Sequence, residues 1–337
     1  MTLTEDQKKF LKDMDVNESD FVKLGRDVQI LIDIAADYEL HKNDLLDEAG
    51  YIANKMQRCR GVHSVRSRIK DTSHLIEKII RKWSEETIAE KYNVINKDNY
   101  KSTITDLVGV RAIYLFKSDW EIVHNHILSK WEPKEDVIIY HREGDDLSLY
   151  AQNESCQKEV HFSGYRSIHY IVPATKISGE QVYCELQTRT IFEEGWSEID
   201  HKVRYPSFSK DPYLQEFLNI FNRISGSADE MGSFVNTLRE LVEQKASLED
   251  SRKRIIEKHE VEINTLEKKI DQLFKDNAKL EDIQKAYKEL KSAQQVKENL
   301  ETKILSFNST NDFQKEIDKL NSSIIDTFSN FTFKKAP

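Results

Sequence analysis

Arg66, Arg68 and Lys70 alternate with other residues in a stretch of strand-like pattern, so an extended chain carries all three cations on one face. Lys78 follows about one helical turn into the next segment, and Asp71, Thr72 and Ser73 suit a helix N-cap. Cations that converge where a strand meets a helix N-terminus form a cradle for a polyphosphate. A second group is Asp106-Leu-Val-Gly-Val-Arg111, in which an acid enters a very apolar strand and an arginine lies inside it. A mid-strand arginine needs either a partner or an opening onto a site, and Gly109 allows a close neighbour. Gly164-Tyr-Arg-Ser-Ile-His169 offers an aromatic face, a cation, a hydroxyl and an imidazole just ahead of an apolar strand. Tyr165 is suited to stack on a base, with Arg166 and His169 reaching phosphates. In Glu185-Leu-Gln-Thr-Arg189, residues 185, 187 and 189 share a face, and a carboxylate there can hold Mg²⁺ or accept a proton.

Each stretch has a plainer reading too. The basic group is then a solvated strand face, Asp106 and Arg111 pair internally, Tyr165 packs on the core, and 185–189 is half-exposed. His201 and Lys202 either reach the cleft or cap a helix. Taken together, two carboxylates, many cations and a stacking aromatic at strand ends suit phosphoryl-type transfer between nucleotides. In that chemistry the protein positions reactants and neutralises charge.

The elements that must hold these residues are legible from periodicity. Helices are expected at 4–15, 18–58, 73–91, 118–130, 190–203 and 211–244, and strands at 61–69, 107–116, 135–141, 168–173 and 181–188. Residues 142–164, with Asp145, Asp146, Glu154 and Lys158, read as a polar loop. The expected fold is α+β, a mixed sheet of about five strands flanked by helices. Beyond about residue 245 charge density rises, and no Pro or Gly occurs from 233 to 336. Ile263, Leu266, Ile270, Leu273, Leu280 and Tyr287 fit a heptad seam, with Asn277 and Gln284 at its polar positions. That seam serves either an antiparallel helical hairpin or an oligomerising coiled coil. Residues 311–333 add an amphipathic segment ending in Phe328, Phe331 and Phe333.

Composition narrows the function classes. The chain has 337 residues, 10 Gly, 5 Pro and a formal net charge of −9, which favours long helices and a local basic pocket over a general nucleic-acid surface. Three cysteines without a Cys-x-x-Cys pair give no zinc or disulfide framework. No apolar run of membrane-spanning length and no signal-peptide pattern occur, so a cytoplasmic location is expected.

Five motifs then stand in order: Ser67-Arg-Ile-Lys-Asp, Asp106-Leu-Val-Gly-Val-Arg, Gly164-Tyr-Arg-Ser-Ile-His, Glu185-Leu-Gln-Thr-Arg and Asp200-His-Lys-Val-Arg-Tyr. This set resembles the RelA/SpoT synthetase domain, with a nucleotidyltransferase-like fold, over about residues 20–210. The chain looks like a small alarmone synthetase domain at 1–210 with a helical or coiled-coil extension at 211–337. The resemblance implies a GTP/GDP pyrophosphokinase that moves pyrophosphate from ATP to the 3′-hydroxyl of GDP or GTP, making (p)ppGpp in the stringent response. It implies that Arg68 and Arg111 sandwich adenine and that Lys70 and Lys78 hold the ATP phosphates. Asp106 would ligate Mg²⁺, and Glu185 would ligate Mg²⁺ or act as base on the 3′-hydroxyl. Tyr165 would stack on guanine, with Arg166, His169, Gln187 and Lys202 on the acceptor side.

The pattern departs from the family on that same side. His161 and Ser163 stand where many members have Lys and Asn, and Asp200 replaces the usual Glu. An alternative acceptor, an adenosine nucleotide or the tRNA 3′ end as in some toxic relatives, therefore stays open. A third reading is a non-catalytic interaction module, against which the intact Lys70, Asp106, Tyr165 and Glu185 count. Homo-oligomerisation through the C-terminal helices is a further expectation.

Overall fold

The computed structural model describes residues 3–151, 153, 155–204, 211–276 and 279–306. Four helices come first: α1 (Glu5–Asp13), α2 (Glu18–Lys23), α3 (Val28–Leu40) and α4 (Lys42–Gln57). The long helix expected over 18–58 is thus three. Gly25 turns the chain with φ +65°, a conformation that suits glycine and ends a helix. Asp27 then caps α3 by accepting from the Gln29 amide at 2.9 Å. β1 (Ser64–Ile69) leads into α5 (Thr72–Trp83), which stops well short of residue 91. The short helices α6 (Glu90–Asn93) and α7 (Tyr100–Thr103) precede β2 (Val108–Tyr114) and α8 (Trp120–Leu128). Then come β3 (Val137–His141), β4 (Cys156–Val160), β5 (Ser167–Ile177), β6 (Glu180–Thr190), α9 (Ile191–Val203), α10 (Pro212–Lys275) and α11 (Leu280–Ser306).

The fold is α+β, as expected, but the sheet has six strands rather than five, in the order β1-β2-β6-β5-β3-β4. The added strand, β4, lies in the stretch expected to be a loop. It pairs parallel with β3 at the sheet edge, and its last four residues are exposed. Apart from the buried Cys156, backbone pairing holds most of this strand, so Cys-Gln-Lys-Glu-Val carries little of the alternation that marks a half-buried one.

One face of the sheet carries the core. Val108, Val110 and Ala112 of β2, Tyr170 and Val172 of β5, and Cys184 and Leu186 of β6 are fully buried. Helices cover them with their own apolar stripes: Leu45, Ala49, Ile52 and Met56 from α4, and Leu75, Ile76, Ile79 and Trp83 from α5. Burial of such side chains contributes about 1.5–3 kcal/mol each, which fixes the register of the strands. The opposite face, by the same alternation, presents the polar residues of β1, β2, β5 and β6.

The chain divides into two compact units, residues 1–230 and 231–337. The first unit runs past residue 210, because the early turns of α10 are tied to it. Trp196 Nε1 donates to the Leu218 carbonyl (3.0 Å) and Ser225 Oγ to the Phe192 carbonyl (2.7 Å). In the second unit Ile270, Ala286 and Leu290 form a small core with Ile263, Leu266 and Leu273. Lys297 pairs with Glu260 at 2.7 Å, so α11 returns antiparallel along α10. The front half of the heptad seam is therefore used within the chain, as a hairpin, while Leu280 and Tyr287 are exposed. Asn277 and the segment 311–333 lie outside the described residues.

Candidate active site

The polar face is ordered by strand register. Arg66 pairs with Arg111, Arg111 with Gln187, and Gln187 with His169 across β1, β2, β6 and β5. One residue-pair along, the row reads Arg68, Gly109, Glu185 and Ile171. Two rows of side chains thus cross four strands, with Glu185 near their middle. Gly109 is where a side chain would intrude: a Cβ there would sit 3.5 Å from Arg68 Cγ, so Arg68 lies across the bare backbone.

At one end of these rows lies a cavity of 460 Å³, lined by Arg68, Lys70, His74, Lys78, Arg81 and Asp106. Asp106 enters just before β2, and Lys70 leaves β1 beside it, its amide bonded to the Leu107 carbonyl at 2.9 Å. Lys70 Nζ lies 2.9 Å from Asp106 Oδ2, and Lys78 Nζ lies 2.8 Å from Oδ1. Burial pushes the Asp106 carboxyl up, but Lys78 and Lys70 outweigh it and hold it below the usual range. His74, Lys78 and Arg81 stand at i, i+4 and i+7 on α5, so one helical stripe supplies three nitrogen-bearing side chains. His74 and Arg81 were not singled out from sequence; that stripe, continuing from Lys78, is the signal that marks them.

A second cavity, of 270 Å³, shares Arg68 and His201 with the first and adds Arg111, Glu185, Gln187 and Glu198. Here α9 leans over the sheet. Glu194 Oε1 lies 3.2 Å from Arg111 Nη1, and Glu198 pairs with the same guanidinium nitrogen. Glu198 also lies 3.6 Å from Arg66. Arg68 and Arg111 therefore flank one cavity, and Arg111 is engaged by two acids. Glu194 and Glu198 were not anticipated; their four-residue spacing on the helix after the Glu185 strand is the available signal.

Beyond Glu185 the aromatic end begins. His169 Nδ1 is 3.4 Å from Glu185 Oε1, and Gln187 Nε2 donates to Glu185 Oε2 at 2.9 Å. Burial pushes the Glu185 carboxyl up, and the hydrogen bond and charge of His169 pull it down further than that. Tyr165 Oη bonds to His169 Nε2 (3.1 Å) and accepts from Arg189 Nη2 (2.7 Å). Arg189 is 1% exposed and also reaches Ser197 and Glu194; it sets Tyr165 from below. His161 packs near Tyr165, with ring centroids 5.3 Å apart, and burial lowers its pKa. Phe162 stacks on His161 at 4.7 Å and is 90% exposed.

Two expected residues stand apart. Arg166 precedes β5 on the parity opposite to Tyr165 and His169, and it turns away from the cleft. Its Nε and Nη2 grip Asp145 at 2.6 and 2.8 Å, and Nη1 reaches Asn222 Oδ1 at 2.8 Å. Lys202 is exposed on α9 and lines neither cavity. Arg68, Lys70, Lys78, Asp106, Arg111, Tyr165, His169, Glu185 and Gln187 are brought together.

The donor set fits magnesium. Mg²⁺ takes one or two carboxylates and fills its other positions with water and substrate phosphates. Asp106 lies just ahead of β2 and Glu185 on the adjacent strand β6, and both are held in the ionised form such a ligand needs. No cluster of three or more His, Cys, Asp or Glu ligands occurs among the described residues.

Residues 67–210 match the family described as the region found in RelA / SpoT proteins. GTP pyrophosphokinase YwaC of Bacillus subtilis (strain 168) is 29% identical over 147 residues, 43% of this chain and 59% of that protein. GTP pyrophosphokinase YjbM of the same organism is 29% identical over 106 residues, 31% of this chain and 43% of that protein. The chain thus spans about half the length of these curated relatives. The crystal structure of small alarmone synthetase 1 from Bacillus subtilis is similar to 61% of this chain and 98% of its own, at 20% identity and a TM-score of 0.43.

Proposed function

We propose that this chain, homologous to RelA/SpoT proteins over residues 67–210, transfers pyrophosphate from ATP to the ribose 3′-hydroxyl of GDP or GTP, making (p)ppGpp. The observation that carries the reading is the place of Glu185, between the Lys70–Asp106–Lys78 cradle on one side and the Tyr165–His169 pair on the other. The two relatives YwaC and YjbM, both named GTP pyrophosphokinases, agree with it.

In this reading Lys70, Lys78 and Arg81 hold the ATP triphosphate in the larger cavity. Arg111 leaves Glu198 and closes on one face of the adenine, with Arg68 on the other. Tyr165 stacks on the guanine, and His169 and Gln187 fix the ribose side. The 3′-oxygen attacks the β-phosphorus in line, the bond from that phosphorus to the α-phosphate bridging oxygen breaks, and AMP leaves. Glu185, ionised at neutral pH, takes the hydroxyl proton. Because its pKa is depressed it is a modest base, so most of the acceleration falls to alignment and to the cations around the phosphates. Asp106 and Glu185 would hold Mg²⁺, which when bound offsets charge on the phosphate oxygens. The transferase domain is placed at residues 1–210 and completed by the first turns of the extension. No helix among the described residues is long and apolar enough to cross a membrane, and we place the enzyme with its nucleotide substrates in the cytoplasm.

The exposed Phe162 beside the acceptor aromatics favours a second reading, in which the acceptor is an adenosine nucleotide or the tRNA 3′ end with a further base to stack. One assay separates them. The protein and Mg²⁺ are given β-phosphate-labelled ATP with GDP, GTP, ATP or uncharged tRNA in turn, beside an E185Q control. Label in a guanosine 3′-pyrophosphate, absent from the control, is expected. Label in tRNA or in an adenosine product moves the reading to the second acceptor class, and no transfer to any acceptor rejects both.

A further inference from the structure

Asn222, on α10 and 1% exposed, has no place in the chemistry above, yet both ends of its amide are committed. Its Nδ2 donates to the Gly164 carbonyl at 2.9 Å, and its Oδ1 accepts from Arg166 Nη1 at 2.8 Å. The Gly164 carbonyl belongs to the peptide that enters Tyr165. Gly164 has φ +74°, and a Cβ there would stand 3.2 Å from Asn222 Nδ2, so the backbone turns into close contact with this one side chain. The Arg166 guanidinium is held in turn. Its far edge forks onto Asp145, and Gly226, one turn beyond Asn222, leaves room for it: a Cβ there would come within 3.2 Å of Arg166 Nη2.

Tyr165 is therefore held at two points. Arg189 of β6 holds its hydroxyl, and α10 holds the peptide before it. A helix docked only by apolar contact slides by fractions of an ångström at little cost. A buried amide with both ends bonded does not, because a shift strands a donor and an acceptor away from water.

We infer that Asn222, through Gly164 and Arg166, is a positioning residue for the acceptor base: it sets the peptide that aims Tyr165. The consequence for catalysis rests on the proposed function; the clamp itself does not. The chemical class served is a purine nucleotide acceptor, and the ATP side, built on β1 and α5, is independent of the clamp.

Two variants test it. N222A removes both bonds. G226A adds a good helix former to α10 while crowding the Arg166 guanidinium by a few tenths of an ångström, and so keeps the test open should N222A fail to fold. Amide hydrogen exchange is followed over residues 161–169 and, as internal reference, over β1 and α5. KM is measured separately for GDP and ATP. Loss of these buried hydrogen bonds predicts at least about tenfold faster exchange at 161–169 and about tenfold higher KM for GDP. The reference segments and the KM for ATP stay as in the unaltered protein. Exchange that is unchanged in both variants overturns the inference. So does exchange that rises equally in β1 and α5, or a KM that rises equally for both substrates, since either marks general loosening. Should the unaltered protein transfer nothing to GDP, the functional reading fails, and exchange at 161–169 still decides the clamp.

Discussion

His169 Nδ1 lies 3.4 Å from Glu185 Oε1, with the two side chains carried by neighbouring antiparallel strands. In the proposed function the contact joins the proton acceptor, Glu185, to a residue on the acceptor side, His169. It also keeps Glu185 ionised despite its burial. E185Q preserves shape and the Gln187 contact but removes the negative charge. Product formation from labelled ATP is expected to fall by about 10²–10⁴-fold, with the thermal midpoint little changed. Full activity in E185Q would reject Glu185 as the proton acceptor.

Lys70 and Lys78 share the Asp106 carboxylate, and removing a lysine or neutralising the acid has different consequences. K78A leaves Asp106 with Lys70, so the fold is expected to survive while transfer falls by about 10²–10³-fold, the scale for a lost cation at a transferring phosphoryl group. D106N leaves two ammonium groups facing each other across a neutral amide. Its ATP binding, read by calorimetry with and without Mg²⁺, should lose its dependence on the metal.

Glu198 pairs with the Arg111 guanidinium, which in the proposed function must turn to the adenine. E198Q keeps the hydrogen-bond acceptor but drops the charge. It is expected to raise affinity for ATP by a few-fold, the order of about 0.5–1 kcal/mol for a partly exposed pair. Equilibrium binding of ATP checks this, and weaker binding would show that Glu198 helps to place Arg111 instead.

Asp229 sits near the junction of β6 and α9. Burial and the neighbouring Glu193 push its pKa up to about 8, against the pull of Thr190, Lys117 and Arg166. A group whose folded pKa is raised stabilises the fold fully below its unfolded value and loses that contribution as pH rises through the folded one. Asp106, Asp145 and Glu185 have lowered values, so their contribution is lost only at acid pH. From about pH 4 to 8, therefore, the unaltered protein should lose stability that D229N retains. Melting curves across that window check the difference, and parallel curves would sink it.

Truncation separates the two parts of α10. A chain ending after residue 240 keeps Leu218, Asn222, Ser225 and Asp229 and should melt cooperatively with transfer activity intact. A chain ending at residue 210 strands Arg166 and Asp145 without Asn222 and should melt earlier, in circular dichroism.

The sequence by itself determined most of the scaffold and which polar residues share a face of it. Period-two alternation put Arg66 and Arg68 on one face, and Glu185, Gln187 and Arg189 on another, and the structure joins those faces into one. Local pattern could not supply what depends on partners far along the chain. The edge strand β4 is exposed after its buried first residue, Cys156, and so lacks an alternating signature. Gly25 broke a helix that apolar spacing alone would continue. Arg166 looked like a phosphate ligand because it is a cation within the Gly164–His169 motif; alternation at the entry to β5 turned it the other way from Tyr165 and His169, onto Asp145 and Asn222. The engagement of Arg111 by Glu194 and Glu198, and of Gly164 by Asn222, spans more than fifty residues in each case. Contacts of that separation exist only once the sheet has closed and α9 and α10 have docked, and there the tertiary structure alone decided.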